Sequence, residues 1–198
     1  MNKSRIGVLG SAFDPPTMGH LDVILQAAPY MERILLVPSA AHPFGKQLVN
    51  FSHRLKMLEL FISDISVNHC QVESCDLEYS LLADNPDHPV YTYDLLKRLE
   101  AIHQDKAELC FIRGPDNAKP AIWKRFYNAD KIEQHWPIFT AQSRVRIRSS
   151  MVRRVLREFT NSQGKELLRK EFLKKMLSPS VYRYILNQNL YLNTGEPQ

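Results

Sequence analysis

The fold of this chain is decided by the stretch Gly10-Ser-Ala-Phe-Asp-Pro-Pro-Thr-Met-Gly-His20. An apolar run typical of a buried strand, Ile6–Leu9, precedes it, and an apolar pattern of helical spacing follows it. A helix leaves its first N–H groups unpaired and carries partial positive charge there, so this strand-to-helix turn predicts an anion site. If the helix begins near Thr17, Thr17 and His20 lie on one face and we expect both to contact the same triphosphate. Gly19 would let the backbone come close to it.

Short apolar runs alternate with helical patterns along the chain, which indicates a buried parallel sheet with crossover helices. The predicted strands are Ile6–Leu9, Ile34–Val37, Leu109–Ile112 and Pro137–Thr140, with a weaker one at Gln71–Cys75. The predicted helices are Gly19–Ala28, Ser52–Ser63, Thr92–His103, Trp123–Lys131, one from a Ser149 or Ser150 cap to about Phe159, Gly164–Lys175, and one opened by Ser178-Pro179. We therefore expect an α/β fold, a single Rossmann-like doubly wound domain over residues 1–198 with a C-terminal helical portion at about 149–192.

Four segments rich in polar side chains follow the predicted strands. They are Ser11–His20, Ser39–Lys46, Arg113–Asn117 and Arg144–Arg154. Ligands of open α/β sheets bind beyond the carboxyl ends of the strands, so we expect these segments to meet along one edge of the sheet.

The formal charge of +5 is concentrated near the C-terminus. Between Arg144 and Arg183, twelve Lys and Arg stand against three Glu, so the rest of the chain is net negative. This distribution suits polyanions, and nucleic acid is one candidate. A solvated basic helix face explains Lys165–Lys175 well, but it explains Arg144–Arg154 less well.

Composition also limits the class of protein. Three cysteines without zinc-like spacing argue against a disulfide framework or a structural metal. The N-terminal apolar run is too short for a signal peptide, and no segment approaches the roughly 20 apolar residues of a membrane span. We expect a cytoplasmic protein without a membrane partner, and the sequence carries no signal that fixes its oligomeric state.

A second anion cradle is predicted at Arg148-Ser-Ser-Met-Val-Arg153. Two hydroxyls at a helix start, with an arginine one turn later, supply charge-assisted hydrogen bonds worth about 1.5–3 kcal/mol each. A helix end alone supplies about 0.3–1 kcal/mol, so Arg153 would dominate this cradle.

Both motifs resemble signatures of the nucleotidyltransferase superfamily. Thr17-Met-Gly-His20 is similar to its (T/H)-x-G-H motif, and Ile147 to Arg153 is similar to its I-S-S-T-x-I-R motif. Arg148 stands where the superfamily has Ser, and Ser11-Ala12 stand where it usually has Gly-Thr. The chain has neither a Walker-type phosphate loop nor the G-x-G-x-x-G of dinucleotide-binding domains.

Further segments resemble the bacterial nicotinate-nucleotide adenylyltransferases over nearly the full length. They are His42–Lys46 with Phe51–Arg54, Val90–Leu95, Phe111–Asp116, Trp123 and Leu177–Tyr191. The resemblance implies transfer of the adenylyl group of ATP to nicotinate mononucleotide, with pyrophosphate released and Mg²⁺ carried by the phosphates.

The resemblance also implies roles for individual residues. His20, Thr17, Lys46 and Arg153 would be catalytic through their contacts with phosphate. ATP would be bound by Gly10, Ser11, Ala12, Phe13, Gly19, His20, Gly114, Asp116, Ser149, Ser150 and Arg153. The mononucleotide would be bound by Lys46, Thr92, Tyr93 and Trp123, although Trp123 has an equally good interpretation as a core residue. No residue is expected to be a resident metal ligand.

Other functions remain open at this point. Nicotinamide mononucleotide differs from nicotinate mononucleotide by one group, and phosphopantetheine adenylyltransferases also have Thr at position 17. A nucleic-acid-binding module on the basic C-terminal third is disfavoured because that segment lacks interleaved aromatic residues. A homologue that binds nucleotide without reacting is suggested by Arg148 and by Ser11-Ala12.

Overall fold

The strands form one parallel sheet in which their order differs from their order along the chain. A computed structural model describes residues 4–41, 48–158 and 166–192. The strands are β1 (Ser4–Ser11), β2 (Arg33–Pro38), β3 (Gln71–Ser74), β4 (Ala107–Arg113) and β5 (Ile138–Thr140). They lie in the order β3-β2-β1-β4-β5, with every pairing parallel. The chain therefore reverses its direction of winding between β1 and β4, which is where sheets of this kind bind ligands.

Helices connect the strands and continue the chain after β5. In the described ranges they are α1 (Met18–Ala27), α2 (Phe51–Asp64), α3 (Leu77–Asp84), α4 (Thr92–His103), α5 (Pro120–Trp123), α6 (Ala129–His135), α7 (Ser149–Glu158), α8 (Glu166–Met176) and α9 (Pro179–Asn187). Short 3₁₀ segments follow α1 at Ala28–Tyr30 and α4 at Gln104–Lys106. No helix of the described ranges is long and apolar enough to cross a membrane.

Both faces of the sheet are covered, and the strands divide their side chains between two cores. On β2, Ile34 and Leu36 pack into the core beneath α1, α2 and the C-terminal helices, whereas Leu35 and Val37 pack into the core beneath α4 and α6. This alternation follows from the two-residue period of a strand. It explains why the strands are apolar at successive positions, and it confirms the doubly wound α/β fold.

The predicted strands and most of the predicted helices are confirmed within one to three residues. The predicted helix Trp123–Lys131 is wrong, because α5 ends at Trp123 and Asn128 adopts a left-handed conformation (φ 55°) immediately before α6. Asparagine tolerates this conformation better than most residues. The sequence analysis did not predict α3. Gly164, the first residue of the predicted helix Gly164–Lys175, lies outside the described residues.

The helix caps also differ from the prediction. The cap positions of α2 and α4 are Asn50 and Tyr91, and Ser52 and Thr92, the first residues of the predicted helices, lie inside α2 and α4. At α7, the carbonyl oxygen of Arg148 accepts from the first available N–H groups, and Ser149 is the first helical residue. The hydroxyl of Ser149 donates instead to the carbonyl oxygen of Pro15 at 2.8 Å. This side chain joins the two motifs.

Candidate active site

A cavity of about 370 Å³ opens at the carboxyl ends of β1 and β4. It lies beside the N-terminal ends, or heads, of α1 and α7. Ten of the predicted site residues line it: Gly10, Ser11, Ala12, Gly19, His20, Gly114, Asp116, Ser149, Ser150 and Arg153. A Cβ atom added at Gly10 or Gly114 would meet no atom within 4 Å, as expected where the backbone borders open space. The fold therefore brings together three of the four segments that the sequence analysis expected to meet.

The fourth segment is only partly described. Lys46 lies outside the described residues, while Leu48, two positions later, lines the cavity. The roles assigned to Lys46 therefore stay predictions.

His20 is held at the cavity by three polar contacts. Its Nδ1 accepts from the backbone N–H of Thr17 at 3.0 Å and lies 3.0 Å from the Thr17 hydroxyl. Because Nδ1 accepts, we assign the proton of the neutral ring to Nε2, which lies 3.2 Å from the Ser11 hydroxyl. Desolvation, and secondly the positive charge of Arg148, lowers the pKa of His20 from 6.5 to about 4. At neutral pH, His20 is thus an uncharged donor that points from the head of α1 towards Ser11.

Thr17 and Phe13 lie behind the cavity rather than on its surface. Both are fully buried, and neither is among the lining residues. Thr17 forms a capping box with His20 at the start of α1, and the Phe13 ring packs 4.8 Å from the imidazole. Thr17 and Phe13 therefore support His20, and the contacts with phosphate and ATP predicted for them stay predictions.

Gly19 provides a close contact between the two motifs. A Cβ atom at this position would lie 2.2 Å from the carbonyl oxygen of Ile147, closer than real Cβ contacts allow. The sequence analysis expected the missing side chain to admit phosphate. In the structure, the space left by the missing side chain is filled by the backbone that leads into α7. The head of α7 can therefore lie close to α1.

Arg148 and Asp116 form a two-pronged ion pair beside the cavity. Arg148 donates from Nε and Nη2 to the two carboxylate oxygens of Asp116, at 2.5 and 3.1 Å. Its Nη1 lies 3.3 Å from the carbonyl oxygen of Ile147. The residue that departs from the superfamily motif therefore joins the head of α7 to the loop after β4, and both partners line the cavity.

Two residues of α1 that the sequence analysis did not single out hold the segment before α7. The side-chain amide of Gln26 exchanges two hydrogen bonds with the backbone of Gln142, at 2.9 and 3.1 Å. The carboxylate of Asp22 accepts from Gln26 and from the backbone N–H of Val145. Their spacing of four places both on one face of α1, but only the fold identifies residues 142–145 as their partner.

Arg54 was also missed, although its position carries a signal. It is fully buried, and it donates to the carbonyl oxygens of Val49, Ala12 and Ser39 at 2.7–2.9 Å. These contacts join the start of α2 to the ends of β1 and β2. The buried residues of α2 are Arg54, Met57, Leu58 and Phe61, so Arg54 occupies the first position of an apolar helical stripe. A charged residue at such a position indicates a buried partner.

Three of the residues predicted to bind the mononucleotide, Thr92, Tyr93 and Trp123, do not line this cavity. Trp123 is buried against Phe111 and Phe126, and the Arg113 guanidinium lies 4.6 Å from its ring centre. The structure thus shows the core packing that was the alternative interpretation of Trp123. Thr92 and Tyr93 lie in the first turn of α4, whose leading N–H groups have no partners within the helix. Their binding roles stay predictions.

A larger cavity, of about 830 Å³, lies at the opposite edge of the sheet. It is bordered by the starts of β1 and β4, and the hydrogen-bonded pairs Arg5–Glu108 and Glu100–His135 contribute to its lining. We place the candidate active site in the smaller cavity, because that one contains both anion motifs and lies at the carboxyl edge.

Comparison with known proteins assigns the family. The model of the cytidylyltransferase-like family matches residues 8–155, which include both motifs. The chain belongs to this family. The matched region spans every described residue of the cavity lining, from Leu9 to Arg153.

Two curated relatives of the chain share one provisional name. A protein of Streptococcus pyogenes, provisionally named nicotinate-nucleotide adenylyltransferase, is 34% identical over 119 residues, 58% of this chain and 52% of its own. A protein of Myxococcus xanthus with the same provisional name is 30% identical over 133 residues, 66% of this chain and 65% of its own. The chain thus spans between half and two thirds of the length of these curated relatives.

Solved structures extend the likeness over the whole fold. A crystal structure from Vibrio parahaemolyticus with the same provisional name has a TM-score of 0.75 and 28% identity, and the match covers 96% of this chain and 97% of that one. Nicotinic acid mononucleotide adenylyltransferase of Plasmodium falciparum, complexed with NaAD, has a TM-score of 0.66 at 20% identity, covering 95% and 97%. At that identity the second structure supports the fold alone.

Proposed function

We propose that this protein transfers the adenylyl group of ATP to nicotinate mononucleotide, a step in the biosynthesis of NAD. The observation that carries the proposal is that His20 of the first motif and Ser149, Ser150 and Arg153 of the second line the same cavity. The names of the relatives support nicotinate mononucleotide as the acceptor.

In the proposed reaction, an oxygen of the mononucleotide's 5′-phosphate attacks the α-phosphorus of ATP. A new O–P bond forms, the bond from the α-phosphorus to the bridging oxygen breaks, and pyrophosphate leaves with the electron pair. The attacking oxygen is already anionic, so no general base is needed. Catalysis then rests on positioning and on neutralising the charge that develops on pyrophosphate.

The state of His20 supports a role as hydrogen-bond donor. With its pKa lowered to about 4, the ring is neutral at physiological pH, and the assigned proton on Nε2 is available to a phosphate oxygen in place of Ser11. Arg153 would add positive charge from α7, with Ser149 and Ser150 beside it. We also propose Lys46 as a phosphate donor, on the basis of the sequence. Asp116 would accept from a ribose hydroxyl while it remains paired with Arg148.

On the acceptor side, the proposal uses the first turn of α4. The unpaired N–H groups of Thr92 and Tyr93 are suitable donors for the pyridine carboxylate. Stacking of the pyridine ring on Trp123 would require part of the Arg113, Phe111 and Phe126 packing to open.

Mg²⁺ is proposed to arrive with ATP. The carboxylates that line the cavity, Asp22 and Asp116, are each engaged by donors of the protein. Within the described ranges there is no group of three or more His, Cys, Asp or Glu residues that would hold a metal. This donor set fits an ion held mainly by phosphate oxygens and water, where it would supply charge neutralisation.

The test is pyrophosphate release from ATP and Mg²⁺ with nicotinate mononucleotide, nicotinamide mononucleotide and phosphopantetheine in parallel. We expect nicotinate mononucleotide to give the highest kcat/KM, and His20→Ala to lower turnover at least about a hundredfold with the fold retained. A higher kcat/KM with another acceptor would show that nicotinate mononucleotide is not the preferred substrate. Near-normal turnover in His20→Ala would show that His20 is not needed for catalysis. Salt-dependent DNA binding without any turnover would favour the nucleic-acid-binding alternative.

A further inference from the structure

Arg153 is held from behind by the backbone of the first motif. Its Nη1 donates to the carbonyl oxygen of Asp14 at 2.6 Å, and the side chain lines the cavity with 23% of its surface exposed. An arginine carries five N–H donors, so this anchor leaves others for a ligand. The direction in which the guanidinium points therefore depends on Asp14.

The Asp14 carboxylate is buried, and its two oxygens have different partners. Oδ1 accepts from the Tyr191 hydroxyl at 2.7 Å, whereas Oδ2 lies 3.6 Å from Nη1 of Arg153. A contact of 3.6 Å is longer than the 2.7–2.9 Å of a charge-assisted hydrogen bond, so Asp14 and Arg153 do not form a tight ion pair. The Asp14 carboxylate therefore competes only weakly with an anion in the cavity for the Arg153 guanidinium.

Tyr191 reaches this carboxylate from the chain after α9, 177 residues away. Tyr191 is buried and adopts a left-handed backbone conformation (φ 65°), which is uncommon for an aromatic residue. Such conformations persist where the surrounding structure holds them, and the buried hydrogen bond to Asp14 is such a hold. Burial and the neighbouring Asp14 raise the pKa of Tyr191, so the hydroxyl stays a donor at all relevant pH values.

We propose that Tyr191 and Asp14 are positioning residues for Arg153: the Tyr191 hydroxyl occupies the Asp14 carboxylate and so leaves the Arg153 guanidinium free to bind an anionic group in the cavity. Without the hydroxyl, the carboxylate gains freedom to close on Nη1 and neutralise the guanidinium. The identity of the anion as a nucleotide triphosphate rests on the proposed function. The inference adds a residue of the C-terminal segment, beyond the matched family region at residues 8–155, to the machinery of the site.

The experiment compares Tyr191→Phe with Tyr184→Phe by calorimetric binding of inorganic tripolyphosphate and of ATP. Tyr184 is the matched control, because its hydroxyl bonds to Nδ1 of His53 at 2.8 Å and does not contact Asp14. We expect Tyr191→Phe to weaken both ligands about tenfold, the effect of one charge-assisted hydrogen bond, and Tyr184→Phe to bind them like the wild type. Equal affinity in Tyr191→Phe and the wild type would overturn the proposal.

A double-mutant cycle separates positioning from general loosening of the structure. In an Arg153→Met background, Tyr191→Phe should change the affinity for tripolyphosphate less than about twofold, because the residue on which it acts is gone. A tenfold loss in both backgrounds would show that Tyr191 does not act through Arg153. Circular dichroism establishes that each variant is folded at the temperature of the titration.

A wild-type measurement covers the case in which Tyr191→Phe does not fold. In a crystal structure with bound ATP, Arg153 should donate to a phosphate oxygen while the Tyr191 hydroxyl remains on Asp14. An Arg153 turned away from the nucleotide would contradict the inference. The binding tests need no acceptor, so a wild type that binds tripolyphosphate but adenylylates no acceptor would sink the proposed function alone.

Discussion

The contact between Gly19 and the backbone before α7 yields a quantitative prediction. In Gly19→Ala the new Cβ would lie 2.2 Å from the carbonyl oxygen of Ile147 and 3.2 Å from its carbon. An ordinary C···O contact is about 3.3 Å or more, so one backbone segment must move by roughly 1 Å. Overpacking costs about 1–3 kcal/mol, and the upper end applies because the obstacle is backbone. Alanine recovers up to about 1 kcal/mol of helix propensity, which leaves a net loss of about 2 kcal/mol.

The same displacement should also lower kcat/KM, and we expect this effect to be the larger one when both are expressed as free energies. A shift of about 1 Å between the heads of α1 and α7 changes the distance from His20 to Arg153, and misplacement of that size costs about a hundredfold in rate. The assays are urea denaturation followed by tryptophan fluorescence, and kcat/KM for pyrophosphate release. Gly114→Ala is the control for the denaturation measurement only, because its added Cβ meets no atom within 4 Å. Its unfolding free energy should stay within about 0.5 kcal/mol of the wild type.

The outcome that refutes this reasoning is a Gly19→Ala protein with unchanged unfolding free energy and unchanged kcat/KM. Such a result would mean that the segment before α7 adjusts freely, and that close contact between the two motifs is not needed. Loss of stability with full activity would limit the role of Gly19 to folding.

Two further predictions concern the charges around His20. The pKa of His20 is about 4 in the folded protein, whereas an unperturbed histidine has a pKa of 6.5. The unfolded chain therefore binds more protons between those values, and stability falls on acidification from pH 7 to 4. In denaturant titrations, the decrease in unfolding free energy from pH 7 to pH 4 should be smaller in His20→Gln than in the wild type, by up to about 3 kcal/mol. The same pH dependence in both proteins would contradict the assigned pKa. In Arg148→Ser, the His20 pKa measured by NMR should rise but stay below 6.5, because burial remains, while the half-exposed pair with Asp116 contributes under about 1 kcal/mol of stability. A His20 pKa that does not rise would show that Arg148 does not act on the imidazole.

The candidate site was predictable to the extent that its chemistry is encoded in local motifs. Ten of the predicted residues line the cavity because each motif follows a strand, and the carboxyl ends of parallel strands lie at one edge. Which members of a motif line the cavity was less predictable. Phe13 and Thr17 are the ends of a run of five buried residues in a turn, and periodicity does not define which side chains of a turn point inwards.

Supporting residues were the least predictable part of the site. Gln26, Asp22 and Arg54 bind backbone atoms of distant segments, and a backbone partner leaves no trace in the residue types of those segments. The stripe position of Arg54 was the one available signal. The helix break at Asn128 was missed for a related reason, since its left-handed conformation is one of several that asparagine adopts.

By itself, the sequence determined the alternation of strands and helices, the doubly wound class and the position of two anion motifs at strand ends, because all of these follow from local periodicity and helix-end chemistry. The tertiary structure decided which residues meet. Gly19 faces Ile147, Arg148 pairs with Asp116, and the Tyr191 hydroxyl reaches Asp14. The two side-chain contacts join residues that are 32 and 177 positions apart, and the contact of Gly19 with Ile147 is between backbone segments. They depend on the order of strands in the sheet and on how the C-terminal helices pack against it, and no local pattern encodes either.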